Sequence, residues 1–195
     1  MDLPKPFREV EVKILEIPVE KVVSHILELG AQHIFTGDLV SWYYDFPPDS
    51  PYRLKQCGKQ LRVRDTGLGL ELCLKEKLES STAKVVHEYE LDIPNTFPVH
   101  EFLGHLGLTL RRTVLKHRAS YLHSSEDVST RFEFDTVSLD HLIIPTFLEI
   151  ETSDEQHLAS IIGRLGYTLA DTVPWTTTDV IKHYQKSTCS NSSQT

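Results

Sequence analysis

The feature that most constrains this fold is the run R-E-V-E-V-K-I-L at residues 8–15. With the two-residue period of a strand, Glu9, Glu11 and Lys13 fall on one face and Val10, Val12 and Ile14 on the other. One such stretch on its own reads as a half-solvated strand with its polar side in water, but the device recurs along the chain. Arg62 and Arg64, Lys75 and Lys77, Glu88 and Glu90, Lys116 and Arg118, Glu133 and Asp135, and Glu149 and Glu151 are same-sign pairs two residues apart. An exposed sheet face usually mixes signs, because like charges side by side repel.

The economical geometry is a sheet curled with its charged face inward and its apolar face outward, beneath amphipathic helices. Such an interior cannot be dry, since an unpaired buried charge costs roughly several kcal/mol or is neutralised. The expectation is therefore a wide, wet, charged cavity. Converging Lys and Arg side chains suit phosphate oxygens. Clustered carboxylates with room for water suit Mg²⁺ or Mn²⁺. A polyphosphate with its divalent metal satisfies both.

Composition narrows the alternatives. The 195 residues, 39% hydrophobic and 25% charged, give room for one domain with a substantial core. A formal net charge of -8 suggests neither a nucleic-acid nor an anionic-membrane partner. Cys57, Cys73 and Cys189 are odd in number and lack C-x-x-C spacing, which speaks for a reducing compartment and against a zinc site. The N-terminal residues lack an apolar h-region, and no run approaches the roughly 18–20 apolar residues of a membrane span. A soluble cytoplasmic protein is expected. None of the histidines forms H-x-H or an i, i+4 helical pair, and His117, between Lys116 and Arg118, should point outward. Trp42, Tyr43 and Tyr44 either pack in the core or stack on a ring of the ligand. Cys73 alternates onto the charged side of its strand with no base evident beside it.

Hydrophobic periodicity predicts strands at 8–15, 32–46, 60–65, 70–77, 83–93, 109–122, 130–139 and 146–152. The second is expected to break near Thr36-Gly37-Asp38, and the prolines after it make 47–59 an irregular loop. Helices are predicted at 19–29, between Pro94 and Gly107, from a Ser153–Gln156 capping box to about 165, and at 177–185. Glu-x-Glu, then a helix, then Leu-Gly occurs at Glu9/Leu29, Glu88/Leu106 and Glu149/Leu165, which suggests strand-helix units with pseudo-symmetry. The domain should span 1–186, and 187–195 reads as a disordered tail.

Glu9-Val10-Glu11-Val12-Lys13 resembles the E-x-E-x-K signature of the CYTH domain, the triphosphate tunnel metalloenzyme superfamily. The ordered set Leu61-Arg62-Val63-Arg64, Leu74-Lys75, Glu88-Tyr89-Glu90, Lys116-His117-Arg118, Phe134-Asp135 and Phe147-Leu148-Glu149-Ile150-Glu151 fits as well. The stretch 136–146 lacks the Leu-Gly step common in that family. The resemblance implies an α+β fold, a closed eight-stranded antiparallel β-barrel forming a tunnel with a charged interior and helices packed outside. It implies Mg²⁺ or Mn²⁺ as cofactor, held by Glu9, Glu11, Asp135, Glu149 and Glu151. Lys13, Arg62, Arg64, Lys75, Lys77, Lys116 and Arg118 would hold the phosphates of a small-molecule triphosphate. Glu9, Glu11, Lys13, Arg62 and Lys75 would carry catalysis, while Glu88, Glu90 and Glu133 would serve a second metal or pair with the cations. Lys182, on the last helix, either lines a tunnel mouth or faces solvent. The family includes triphosphatases, in which water attacks the terminal phosphorus, and class IV adenylyl cyclases, in which a ribose 3'-oxygen attacks the α-phosphorus. A triphosphatase is the preferred expectation, because water replaces an oriented ribose. The alternatives are a cyclase making cyclic AMP and pyrophosphate, and a non-catalytic polyphosphate- or nucleotide-binding module; simple anion binding would not need the acids.

Overall fold

The computed structural model describes residues 6–80, 82–125, 128–139 and 142–191, with side chains to 186. In chain order the elements are β1 (Phe7–Ile14), α1 (Val19–Glu28), β2 (Gln32–Asp45), β3 (Lys59–Asp65), β4 (Leu70–Leu78) and β5 (Lys84–Ile93). They continue with α2 (Val99–His105), β6 (Thr109–Ser124), β7 (Ser129–Leu139), β8 (Leu142–Thr152), α3 (Glu155–Arg164) and α4 (Thr177–Asn191). The strands close into one barrel in the order β1-β5-β4-β3-β2-β6-β7-β8, as expected. Every pairing is antiparallel, including the β1–β8 pairing that closes the ring.

The alternation read from the sequence sets the two faces. Outward residues Val10, Val12 and Ile14 of β1, Phe132 and Phe134 of β7, and Leu148 and Ile150 of β8 pack under Val22 and Ile26 of α1 and Leu158, Ile161 and Ile162 of α3. Leu61 and Val63 of β3, with Trp42 and Tyr44 of β2, pack under Val99 and Leu103 of α2. Trp42 and Tyr44 are thus core residues, Tyr44 also meeting His100 Nδ1 at 2.5 Å. The helices α1, α2 and α3 each end on a leucine before a glycine, and Gly30 and Gly166 take φ of 90° and 82°, which glycine adopts at little cost. Among the described residues no helix is long and apolar enough to cross a membrane.

Several boundaries differ from expectation for local reasons. β2 runs unbroken through Gly37, because there the missing Cβ makes room for a ring: a Cβ would stand 2.9 Å from Phe35 Cζ. The irregularities fall instead between His33 and Phe35 and between Tyr43 and Tyr44. β8 begins at Leu142, with Pro145 absorbed where the β7–β8 register shifts between Asp135 and Val137. The cap of α3 is Asp154, which accepts from His157 N at 2.7 Å, not a Ser153–Gln156 box; Ser153 O accepts from Arg8. α4 continues to Asn191, beyond the expected 185 and into the stretch read as tail; residues 192–195 lie outside the described ones.

The fourth helix sits differently from the others. Val180 and Ile181 of α4 pack against Val114, Val137 and Phe147, which continue the inward rows of β6, β7 and β8. A strap at residues 172–176 leads into it: Lys13 N donates to Val173 O at 2.9 Å and Val173 N to Lys13 O at 2.8 Å. The helix therefore seats on the apolar end of an otherwise charged interior. Truncating the buried Ile181 to alanine should destabilise the fold by about 2–4 kcal/mol, read as a lower urea midpoint at unchanged m-value.

Candidate active site

The inward rows enclose a cavity of about 370 Å³. β3 and β6 supply a basic wall of Arg62, Arg64, Arg112, Lys116 and Arg118; β1, β5, β7 and β8 supply Glu9, Glu11, Glu88, Glu90, Glu133, Glu149 and Glu151. Sheet register also brings opposite charges face to face across neighbouring strands. Lys75 is across from Glu88, Lys13 from Glu149, and Arg118 from Asp135.

Three lysines hold the acids of β1. Lys75 Nζ donates to both oxygens of Glu9 at 2.6 and 2.9 Å and lies 3.1 Å from Glu88. Lys84 pairs with Glu11 and lies 3.5 Å from Glu9. Lys13 pairs with Glu11 and lies 2.8 Å from Glu149 Oε2, though off the direction for a hydrogen bond, so that oxygen stays without a donor. Burial alone would raise Glu9 and Glu11, but the lysines outweigh it and hold both below the usual carboxylate range. Burial would lower Lys13; Glu11 and Glu149 raise it instead. On β7, Asp135 takes a two-pronged bond from Arg118 (2.6 Å each) and one from Lys116 (2.5 Å). These cations overcome burial and bring Asp135 down to about 2.

In other groups burial and like charges outweigh the partners at hand. Glu151 is held well above its ordinary range, by burial and then by the like charges of Glu9 and Glu133. Burial raises Glu133 too, despite Arg118 beside it. Glu90 is pushed up to about 7 by burial and by Glu88 and Glu71. On the basic wall, burial and then Arg62 and Arg118 hold Arg64 below the ordinary guanidinium range. The buried Nε atoms of Arg62, Arg64 and Arg112 have no acceptor. Buried polar atoms normally find partners, so these mark where anionic oxygens would sit.

Ligand oxygens of Glu9, Glu88 and Glu151, and of Glu133, Glu149 and Glu151, gather within 4.8 Å of one another, sharing Glu151. All-oxygen sets with excess negative charge fit Mg²⁺ or Mn²⁺. Of the expected metal ligands, Glu9, Glu149 and Glu151 come together in these groups. Glu11 and Asp135 are nearby but committed to lysine and arginine partners. Glu88 and Glu133, expected in a second role, join the groups, and Glu90 gathers with Glu88 and Cys73. Cys73 Sγ donates to Glu88 at 2.8 Å, and burial pushes its thiol far up, so it stays protonated.

Of the expected phosphate ligands, Arg62, Arg64, Lys75, Lys116 and Arg118 line the cavity and Lys13 adjoins it through Glu149. Lys77 does not: it is exposed at the rim, one residue past the last β3–β4 pair, Lys59 with Glu76. His117 faces outward onto Asp38 and Lys182 is exposed. Lys84 and Arg112 were missed, although each stands four residues before a recognised member of its row, Glu88 and Lys116, and so shares its face. Tyr43 is the inward aromatic, with the Arg112 guanidinium 4.7 Å from its ring centre. Thr176, Thr177 and Thr178 at the start of α4 also line the cavity, and no sequence periodicity signals them.

A closed antiparallel barrel with opposed acidic and basic inner walls defines a class of barrel fitted to hold cations and polyanions together. The chain belongs to the CYTH domain family, whose model matches residues 8–167. A protein from Pyrococcus horikoshii is 23% identical with a TM-score of 0.68, over 88% of this chain and 98% of its own. A candidate adenylate cyclase from Vibrio parahaemolyticus is 17% identical with a TM-score of 0.69, over 91% and 99%. A candidate adenylyl cyclase from Hippeastrum, described as having a dominant triphosphatase activity, is 15% identical with a TM-score of 0.61, over 90% and 95%. At these identities the likeness is one of fold. A comparison with curated proteins finds no match.

The acids held above their ordinary range set a pH dependence. Glu90 goes from 4.5 unfolded to about 7 folded, so the native state binds its proton more tightly. That contribution is complete below pH 4.5 and is lost as pH rises through about 7. Glu133 and Glu151 act with the same sign, while Glu9, Glu11, Glu149 and Asp135, all lowered, stay ionised in both states across this window. The melting temperature in EDTA should therefore fall between about pH 5 and 7.5, and Glu90→Gln should flatten the fall. Glu90 is about half exposed (51%), so the change in slope will be modest.

Proposed function

We propose that this protein is a metal-dependent triphosphatase acting on a small-molecule triphosphate within the barrel. One observation carries the reading: carboxylates held above their ordinary range by burial and by one another, Glu151 and Glu133, share a cavity with arginines whose buried Nε atoms have no acceptor, Arg62, Arg64 and Arg112. A Mg²⁺ or Mn²⁺ held by Glu9, Glu149 and Glu151, with Glu88 or Glu133, would supply Lewis-acid charge and lower the pKa of the attacking group. The protein's own cations do the rest. Arg62, Arg64, Arg118 and Lys116 grip non-bridging oxygens from one side, and Lys13 and Lys75 enter from the acidic side. Held in line, the terminal phosphorus meets its nucleophile while these groups offset charge growing on the leaving oxygen.

The cavity's volume accords with a triphosphate as ligand. About 370 Å³ lies at the small end for ligand pockets and suits a phosphate chain with its ions. The organic part then rests at the mouth, where Phe7 lines the cavity and is 55% exposed. A reducing, cytoplasmic setting accords with the free thiols of Cys57 and Cys73.

The test is a product assay by phosphorus NMR with inorganic triphosphate, ATP and thiamine triphosphate, each with Mg²⁺ or Mn²⁺. Orthophosphate is the expected product. Pyrophosphate with cyclic AMP from ATP would replace this reading with a cyclase, and binding without turnover would leave a binding module. Glu9→Gln and Glu149→Gln should each lower turnover on the order of 10²-fold or more with the melting curve retained. Arg62→Ala should weaken triphosphate binding on the order of 10-fold or more; unchanged affinity would take the basic wall out of the site.

A further inference from the structure

Both oxygens of Glu9 and both of Glu11 are already met by lysine ammonium groups, so a divalent cation entering at Glu9 competes with them for the same carboxylates. The three lysines are not equally free to leave. Lys13 is fully buried between Glu11 and Glu149, and its backbone is bonded on both sides to Val173 of the strap. Lys75 sits in the middle of β4 and keeps Glu88, 3.1 Å away, whatever happens at Glu9. Lys84 differs on each count. It is the first residue of β5, opposite Glu11 across the β1–β5 ladder, and Glu9 and Glu11 are its two ion-pair partners. Its side chain, like that of Lys75, lines the cavity and is 15% exposed, so position and partners set it apart, not exposure.

We propose that Lys84 is an exchangeable counter-ion. It occupies the Glu9–Glu11 carboxylates in the metal-free protein, is displaced by the arriving divalent cation, and is thereby released to the phosphate chain. A divalent ion at Glu9 repels an ammonium 3.5 Å from the same carboxylate. The flexible four-carbon stem lets that ammonium swing away without moving the strand. A triphosphate in the cavity offers the released charge new acceptors. Metal and triphosphate therefore help each other bind, because loading of one frees the group that receives the other. In this role Lys84 is a positioning residue, acting on the metal through the carboxylates it guards. The inference rests on the proposed function's assignment of Glu9 and its neighbours to a divalent cation.

The experiment measures Mn²⁺ binding alone, by the loss of the free-ion EPR signal, for the wild type, Lys84→Met, Lys84→Gln, Lys84→Arg and Glu9→Gln. Removing the competing charge should tighten Mn²⁺ binding about tenfold or more in Lys84→Met and Lys84→Gln, and Lys84→Arg should stay near wild type. A merely structural lysine would move the other way, since losing it would loosen the site and weaken Mn²⁺ binding. Thermal melts identify any variant that is not folded, and two neutral substitutions keep the comparison available. Neutral variants that bind Mn²⁺ no more tightly than wild type, with Glu9→Gln abolishing binding, overturn the role of Lys84 and leave the metal site standing. Mn²⁺ binding that survives unchanged in Glu9→Gln, or no binding to any of the proteins, overturns both readings.

Discussion

The structure depends on one constraint: every charge turned into the closed barrel must find compensation inside it. Removing an ion from water costs several kcal/mol even after relaxation, roughly. An interior of one sign would unfold or neutralise itself. The strand order solves this by placing β1, β5, β7 and β8 with their acids opposite β3 and β6 with their bases. Lys13, Lys75 and Lys84 then stitch the acidic side, and Arg118 with Lys116 anchors Asp135. The apolar outer face and its three covering helices follow, because a strand that spends one face on charge has only the other for a hydrophobic core.

Compensation is incomplete in a pattern that matters. Glu151, Glu133 and Glu90 are held above the ordinary carboxylate range, and Arg64 below the ordinary guanidinium range. Groups disfavoured in this way would be relieved by a ligand of the opposite charge, and under the proposed function a cation would relieve one wall and a polyanion the other. The ammonium groups on Glu9 and Glu11 are the means by which the protein stands without either, and one of them, Lys84, is placed to give way.

The apolar patch under α4 has a separate role. Val114, Val137 and Phe147 lie on the same inward rows as the charged residues, yet meet Val180 and Ile181 instead of water. They end the charged interior on that side and bring Thr176, Thr177 and Thr178 to its edge. The site is thus bounded by hydrophobic packing as much as by charge.

Local sequence determined the strands, the faces they present and the sign of charge each carries, because a period of two is a property of the backbone alone. Glu9, Glu11, Arg62, Lys75, Lys116 and Glu149 were therefore legible as inward residues, as was the division between core and cavity. Gly37 misled for the same reason: its usual meaning is local, while here a ring over the backbone gave it another. Only the closed barrel decided which inward charges touch. That Lys84 reaches Glu9 and Glu11, that Lys77 stops at the rim, and that Glu151 stays above its ordinary range while Glu11, with two lysines on it, falls below depend on register between strands distant in sequence. Register and closure fix distances between charges, and distance sets whether a carboxylate is paired, raised or free to take a metal.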